Sequence, residues 1–429
     1  MVKKQTKLWL VIVLFGLAGQ IAWTVENMYF NIFLYNTVTT DPDAIATMVG
    51  TSAIVATVTT ILIGALSDKL GKRKPFMVWG YILWGLSTMS FAFISTNSMA
   101  EIFPKTNDIV ALTTFAIIFM DCVMTFFGSS ANDAAFNAYV TENAPQNKRT
   151  MIEGLLSAFP LVSMLIIFGV LYPLTQAGKW KEFFIYISIS IILTGIIGFF
   201  IIPQDKLSPS KNFRMADVLY GFRPNVLIRN PPLLLALFLL LLVSIAFQVY
   251  LPYLLIYVQH HLAFDNYVPL LGIVLIGASV FSVLGGRLAD KTGKMRLFPY
   301  TLLLSMTGLV FMFFARKYFV CALAALIFMT GALLSQSITT AMVRENIPEG
   351  MAGRFQGVRM FFAVLLPMLI GPFIGARIIS KQSLTYTDLG QVKQVPGPEI
   401  FLGAAAVLLI PLAISLISKK HMERRSKNE

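Results

Sequence analysis

Two stretches of the chain read almost alike: Gly64-Ala-Leu-Ser-Asp68-Lys-Leu-Gly71-Lys72 and Gly286-Arg-Leu-Ala-Asp290-Lys-Thr-Gly293-Lys294. They lie 222 residues apart in a chain of 429. A second pair, Glu142-Asn143-Ala-Pro145 and Glu345-Asn346-Ile-Pro348, follows in the same order at a separation of 203. Two motifs that recur in order predict an internal duplication. Their surroundings say what is duplicated. The chain holds twelve apolar runs near 20 residues long, the length needed to cross hydrocarbon. They lie near 8–35, 44–66, 75–96, 109–140, 151–173 and 182–202, then near 232–258, 269–289, 298–315, 318–341, 354–379 and 399–418. The first motif follows the second run of each half and the second motif follows the fourth, so the repeating unit is six spans. The shorter second separation matches a longer loop around 97–108 in the first half.

Composition agrees. Hydrophobic residues make up 56% of the chain and charged residues 13%, with a mean hydropathy of +0.73. A soluble domain carries about 25% charge. The shortage excludes an ordinary soluble enzyme, a disordered chain and a nucleic-acid partner, and makes lipid the expected surroundings. The net charge of +13 then reports topology, because Lys and Arg collect in cytoplasmic loops. With the N-terminus inside, only Lys105, Lys179, Lys181, Arg316, Lys317, Arg377, Lys381 and Lys393 fall outside, of 34 in all. The expectation is an all-α, multi-pass protein of the cell membrane with both termini cytoplasmic. It divides into a first half (1–202), a polar, proline-broken linker (203–231), a second half (232–418) and a tail (419–429). The basic N-terminus followed by an apolar run resembles a signal peptide. The run is too long for one and holds Glu26 and Asn27, so it reads as the first span. Cys122 and Cys321 lie in apolar runs with no disulfide or metal spacing. No catalytic constellation, phosphate-binding glycine loop or cofactor motif is present, and nothing in the sequence calls for an oligomer.

Ionisable groups inside a membrane are costly, so each is a functional candidate. Asp121 lies about 18 Å into span 4, near the midplane. At about 100° per residue, Thr125, Gly128 and Asn132 fall on its side of the helix. Asp133 lies nearer the cytoplasm. In span 1, Gln20, Trp23, Asn27 and Asn31 share an arc, with Glu26 to one side. Amides and carboxylates suit the hydroxyls of a sugar, and an aromatic ring suits its C–H face. The plainer alternative for each is helix–helix hydrogen bonding. The repeat offsets carry Glu26 to Gln248 and Asp133 to Gln336, so the second half has neutral amides where the first has acids. Gln248, Tyr250, Tyr253 and Gln336 are candidates with packing as their alternative. Arg359, in span 11, either snorkels or pairs with Asp121 or Asp133.

The segment Gly64–Lys74, with its second copy at Gly286–Arg296, resembles the loop 2–3 signature of the major facilitator superfamily. Twelve spans in two halves extend the resemblance over nearly the whole chain. Three features are similar to the melibiose-permease-like branch, the glycoside–pentoside–hexuronide symporters. These are Gly71-Lys72-Arg73-Lys74-Pro75-Phe76 running into Trp79-Gly80, Asp121 after Met120, and Arg359 in span 11. That branch binds its cation with acidic residues in span 2, and span 2 here has none, which favours H+ over Na+. The run Asn132–Glu142 looks like sucrose-transporter-type members. The resemblance implies secondary active transport of a small polar solute such as a sugar or glycoside, by alternating access. Export of drugs or amphiphiles, or lipid transport, is the alternative. It also implies a gating role for the loops: Gly64, Asp68, Gly71 and Arg73, then Gly286, Asp290 and Gly293, with Arg149 and Arg354 as partners of the aspartates. A plain solvated turn is the other reading.

Overall fold

A computed structural model describes residues 2–143, 149–204, 227–264, 267–347, 352–382, 385–388 and 391–428. Among them, eleven helices are long and apolar enough to cross a membrane. In the first half these are α1 (Thr6–Thr37), α2 (Pro42–Leu70), α4 (Ile109–Asn143), α5 (Phe159–Gln176) and α6 (Trp180–Ile201). In the second half they are α7 (Pro231–His261), α8 (Val268–Ala289), α9 (Lys294–Phe314), α10 (Tyr318–Asn346), α11 (Gly357–Ser380) and α12 (Glu399–Ile417). The third rank is taken by α3 (Lys74–Ser90), whose 17 residues lie at the short end of the spanning range. The chain therefore has an all-α membrane fold of twelve ranked helices. Most of the expected linker, 205–226, lies outside the described residues.

The chain forms two compact units, one of Met1–Thr40 with Thr47–Val218, the other of Asp41–Ala46 with Leu219–Glu429. Packing inside the units repeats with the sequence. In the first unit α1 packs on α5 and α6, and α3 on α4 and α6; in the second, α7 packs on α11 and α12, and α9 on α10 and α12. Adding six to each rank converts one set into the other, which is what duplication of a six-helix unit requires.

Lipid offers no partner for backbone amides, so each span satisfies its own. Five spans do so with one stretch of wider i→i+5 turns: Val25–Tyr29 in α1, Ser129–Phe136 in α4, Ile167–Leu171 in α5, Tyr257–His261 in α7 and Phe361–Leu365 in α11. Such turns divert the usual i→i+4 bonds. Side chains donate to carbonyls beside them: Asn27 to Trp23 O at 2.8 Å, Asn31 to Asn27 O at 2.9 Å, and Ser130 to Phe126 O at 2.6 Å. Between α11 and α12 the structure adds a feature that periodicity missed, an antiparallel hairpin of β1 (Thr385–Asp388) and β2 (Gln391–Gln394), with Thr385 opposite Gln394.

Close helix approach depends on glycine. On α6, a Cβ at Gly195 would lie 2.9 Å from the Val78 carbonyl oxygen of α3, and on α3 a Cβ at Gly85 would lie 2.9 Å from the Ser188 oxygen of α6. Backbone cannot yield as a side-chain tip can. Gly195→Leu is therefore expected to separate α3 from α6 and destabilise the first unit by about 1–3 kcal/mol, seen as a lower apparent melting temperature of the purified protein. An unchanged melting temperature would contradict this packing.

Candidate functional site

The acids found in the sequence are brought together in the first unit. Glu26, on the wide turn of α1, and Asp121, on α4, are 8% and 2% exposed. The Thr125 hydroxyl, one turn beyond Asp121, donates to Glu26 Oε1 at 2.9 Å. The Ser52 hydroxyl of α2 lies against both carboxylates. It also points its proton at Val49 O, 3.3 Å away. One hydroxyl proton thus faces three acceptors. Among the described residues Glu26 Oε2 and Asp121 Oδ1 have no hydrogen-bond partner. The cluster is rich in acceptors and poor in donors, and buried acceptors left without donors are costly. A proton or a hydroxylated solute would supply what is missing.

Asp133 stands lower on α4, partly exposed, accepting from Ser129 Oγ at 3.0 Å. Asn132 is buried on the same helix. Its amide donates to Tyr81 Oη at 2.7 Å, and Tyr81 donates to Phe15 O at 2.5 Å. This buried chain ties α4 through α3 to α1. Asn27 likewise commits its amide donor to its own helix. Trp23 packs on Trp84 with ring centroids 5.0 Å apart, and neither indole N–H has a partner among the described residues. Gln20 is half-buried on α1. Ser52, Tyr81 and Trp84 were missed by sequence reasoning. Ser52 carried only a faint signal, a small hydroxyl on a span without charge.

In the second unit the amides satisfy one another or their surroundings. Gln336 and Ser244 exchange bonds of 3.1 and 3.3 Å. The Tyr253 hydroxyl donates to Pro372 O at 3.0 Å and lies 3.1 Å from Pro42 O. Gln248 is half-buried where Gly371 leaves room for it. Arg359, half-exposed before the wide turn of α11, belongs to this unit, whereas Asp121 and Asp133 belong to the first.

The two repeated loop motifs meet within each unit. In the first, Arg73 is 4% exposed and donates to Ser67 Oγ, to Asp68 and to Glu142, the last at 2.6 Å. Burial acts to lower the guanidinium's proton affinity, but the bonds to Glu142 and Asp68 outweigh it and hold it above its ordinary range. Gly71 makes the turn with a φ of +63°, and Gly293 its counterpart with +98°. Gly64 and Gly286 have open space where a side chain would be. In the second unit Lys294 Nζ meets Glu345 at 2.5 Å, with the glutamate exposed and the lysine partly covered. Asp68 is paired with Arg73 of its own loop, five residues on. The side chains of Arg149, Arg354 and Asp290 lie outside the described residues.

The sequence pattern of the Major Facilitator Superfamily matches residues 8–372. The chain belongs to this superfamily. It is therefore a multi-pass membrane transporter. Solved transporters have a similar fold: a variant of the nucleoside transporter NupG (TM-score 0.70, 12% identity, covering 97% of this chain and 99% of that one), and the xylose transporter XylE from E. coli in a partially occluded inward-open form (0.66, 15%, 95% and 97%). A bacterial homologue of the human lysosomal transporter Spinster is similar as well (0.68, 12%, 98% and 97%). Sugar efflux transporter B of Salmonella typhimurium is 23% identical over 197 residues, 46% of this chain and 44% of that relative's length.

The two loop clusters should differ in weight. Arg73→Ala leaves Glu142, Asp68 and Ser67 without their donor, and about 1–3 kcal/mol of stability should go with it. Lys294→Ala removes a solvated pair and should cost below about 1 kcal/mol. Comparing the two melting temperatures checks the order, and equal losses would contradict it.

Proposed function

We propose that this transporter is a proton-coupled carrier of a small polar solute, a sugar or glycoside, and that the Glu26–Asp121 pair carries the coupling. The observation behind this is the donor deficit: two buried carboxylates share one serine hydroxyl, and each has an oxygen without a partner. Two negative charges at this range in a dry interior repel strongly, and one retained proton turns repulsion into a hydrogen bond. No Lys, Arg or His is among the described groups acting on the pair. Loss of the proton and loss of solute hydroxyls would disturb the same oxygens, which is the linkage that coupling needs. Sodium coupling of the melibiose-permease-like kind calls for acids on the second span, and α2 offers Ser52 instead. The distribution of Lys and Arg supports a plasma-membrane orientation with both termini in the cytoplasm.

The Salmonella relative named for sugar efflux supports a sugar and raises a second reading, in which the same pair drives export by exchange with protons.

Proteoliposomes with imposed gradients test both. A pH gradient should drive saturable accumulation of one member of a sugar panel, and a sodium gradient should not. Asp121→Asn should reduce gradient-driven accumulation to background yet keep sugar exchange between preloaded vesicles and the medium. Accumulation that persists in Asp121→Asn would overturn the assignment. Its reversal with the gradient's sign distinguishes import from export.

A further inference from the structure

Eight Lys and Arg fall on the outer side of the charge distribution, against the general trend. Two of them have clear protein partners. Arg316 donates to the carbonyls of Phe313 and Ala315 at 2.9 Å, closing the end of α9. Lys181 lies over the Phe93 ring, 5.4 Å from its centroid. Arg377 and Lys381, at the end of α11, differ. Neither has an ion pair or hydrogen bond among the described residues. Arg377 stands inside the span itself, about one turn before its last residue, Ser380. A cation at that depth needs water or an anion to meet it.

The two cations share an open groove of about 450 Å³ with Ile370, Phe373, Ile374 and Ile378. Positions 370, 374, 377 and 381 follow one another at helical spacing, so the groove runs along α11. Its apolar part extends roughly 10 Å, and two charges roughly 6 Å apart end it. Both cations are exposed, as are Ile370 at 40% and Phe373 at 38%. The other side of α11 is the packed one. There Gly371 and Gly375 are buried, and a Cβ at Gly375 would run into the Val249 carbonyl oxygen of α7. The groove therefore lies on the face that a membrane covers. Apolar walls ending in two positive charges describe an amphiphile with an anionic head. The arginine fork can hold two phosphate oxygens, and the lysine adds a point charge. Two cations would repel the ammonium of a zwitterionic head group, whereas a phosphate diester of a neutral alcohol offers only its negative charge. A basic residue in a last turn also offsets the helix dipole, but that role asks for neither a second cation nor a groove.

We propose that this groove binds an anionic phospholipid, a phosphate diester without a cationic head group, such as phosphatidylglycerol. Its phosphate lies between Arg377 and Lys381, and an acyl chain follows Ile374, Phe373 and Ile370. The site is independent of the coupling reading above and stands whichever solute the protein carries.

The test uses the purified full-length protein in phosphatidylcholine vesicles, with brominated phosphatidylglycerol or brominated phosphatidylcholine as a contact quencher of tryptophan. Phe373→Trp places a reporter in the groove. Ile273→Trp places one on α8, where the native side chain is 66% exposed and outside the groove. Emission of the parent protein is subtracted from both. Preference for phosphatidylglycerol over phosphatidylcholine should be about tenfold stronger at position 373 than at 273. Adding Arg377→Gln with Lys381→Gln should bring the two positions to parity. Adding Arg377→Lys with Lys381→Arg, which keeps both charges, should retain most of the preference. Equal preference at both positions, or a preference that survives removal of both charges, would overturn the site. Loss of the preference on adding inorganic phosphate at constant ionic strength would mean a site for the free anion and would overturn the lipid assignment.

Discussion

Hydrocarbon supplies no hydrogen bonds, and that constraint shapes every part of this molecule. Backbone amides have to be satisfied inside each helix, so the chain becomes helices of membrane length. Where a wide turn interrupts the ladder, a local side chain donates to a neighbouring carbonyl, as Asn27 does for Trp23 and Ser130 for Phe126. Helices without polar glue approach by shedding side chains, as at Gly85 and Gly195. Charge is confined largely to loops and helix ends, where Arg73 gathers three acceptors from the ends of α2 and α4. A group that keeps a formal charge or an open valence in the interior stands against this background.

Duplication turned one such interior into two of opposite character. The first unit holds acids with too few donors, and the second holds an amide and a hydroxyl, Gln336 and Ser244, that bond each other. Glu26 and Asp133 stand where the repeat places Gln248 and Gln336. An amide carries both a donor and an acceptor, so Gln336 and Ser244 can close on each other. A carboxylate only accepts, so Glu26 and Asp121 cannot satisfy each other without a proton. The same scaffold thereby holds carboxylates in one half and neutral amides at the matching positions of the other.

Much of this was legible in the sequence, because lipid imposes a length and duplication imposes a period. The twelve ranks and the two repeated motifs could be read directly, as could the isolation of Glu26 and Asp121 among apolar residues. What escaped has physical reasons. Tyr81 is one aromatic residue in an apolar span, and its role comes from the Asn132 amide that α4 brings to it. Ser52 carries no charge to mark it, and its importance comes from the two acids that α1 and α4 bring to it. Arg73 is one of several basic residues in its loop, and only the tight turn at Gly71 folds it back over Asp68. The β1–β2 hairpin is short, and its alternating polar residues resemble any exposed loop.

The paired loop clusters have diverged in one further respect. Arg73 is embedded, while Lys294 and Glu345 meet at a surface where Glu345 is 59% exposed. Mobile ions shield charges that they can approach, over about 8 Å at physiological strength and about 3 Å in molar salt. Concentrated salt would therefore weaken the Lys294–Glu345 pair more than the pairs made by Arg73. Two copies of one repeated arrangement have come to answer differently to the ionic strength around them.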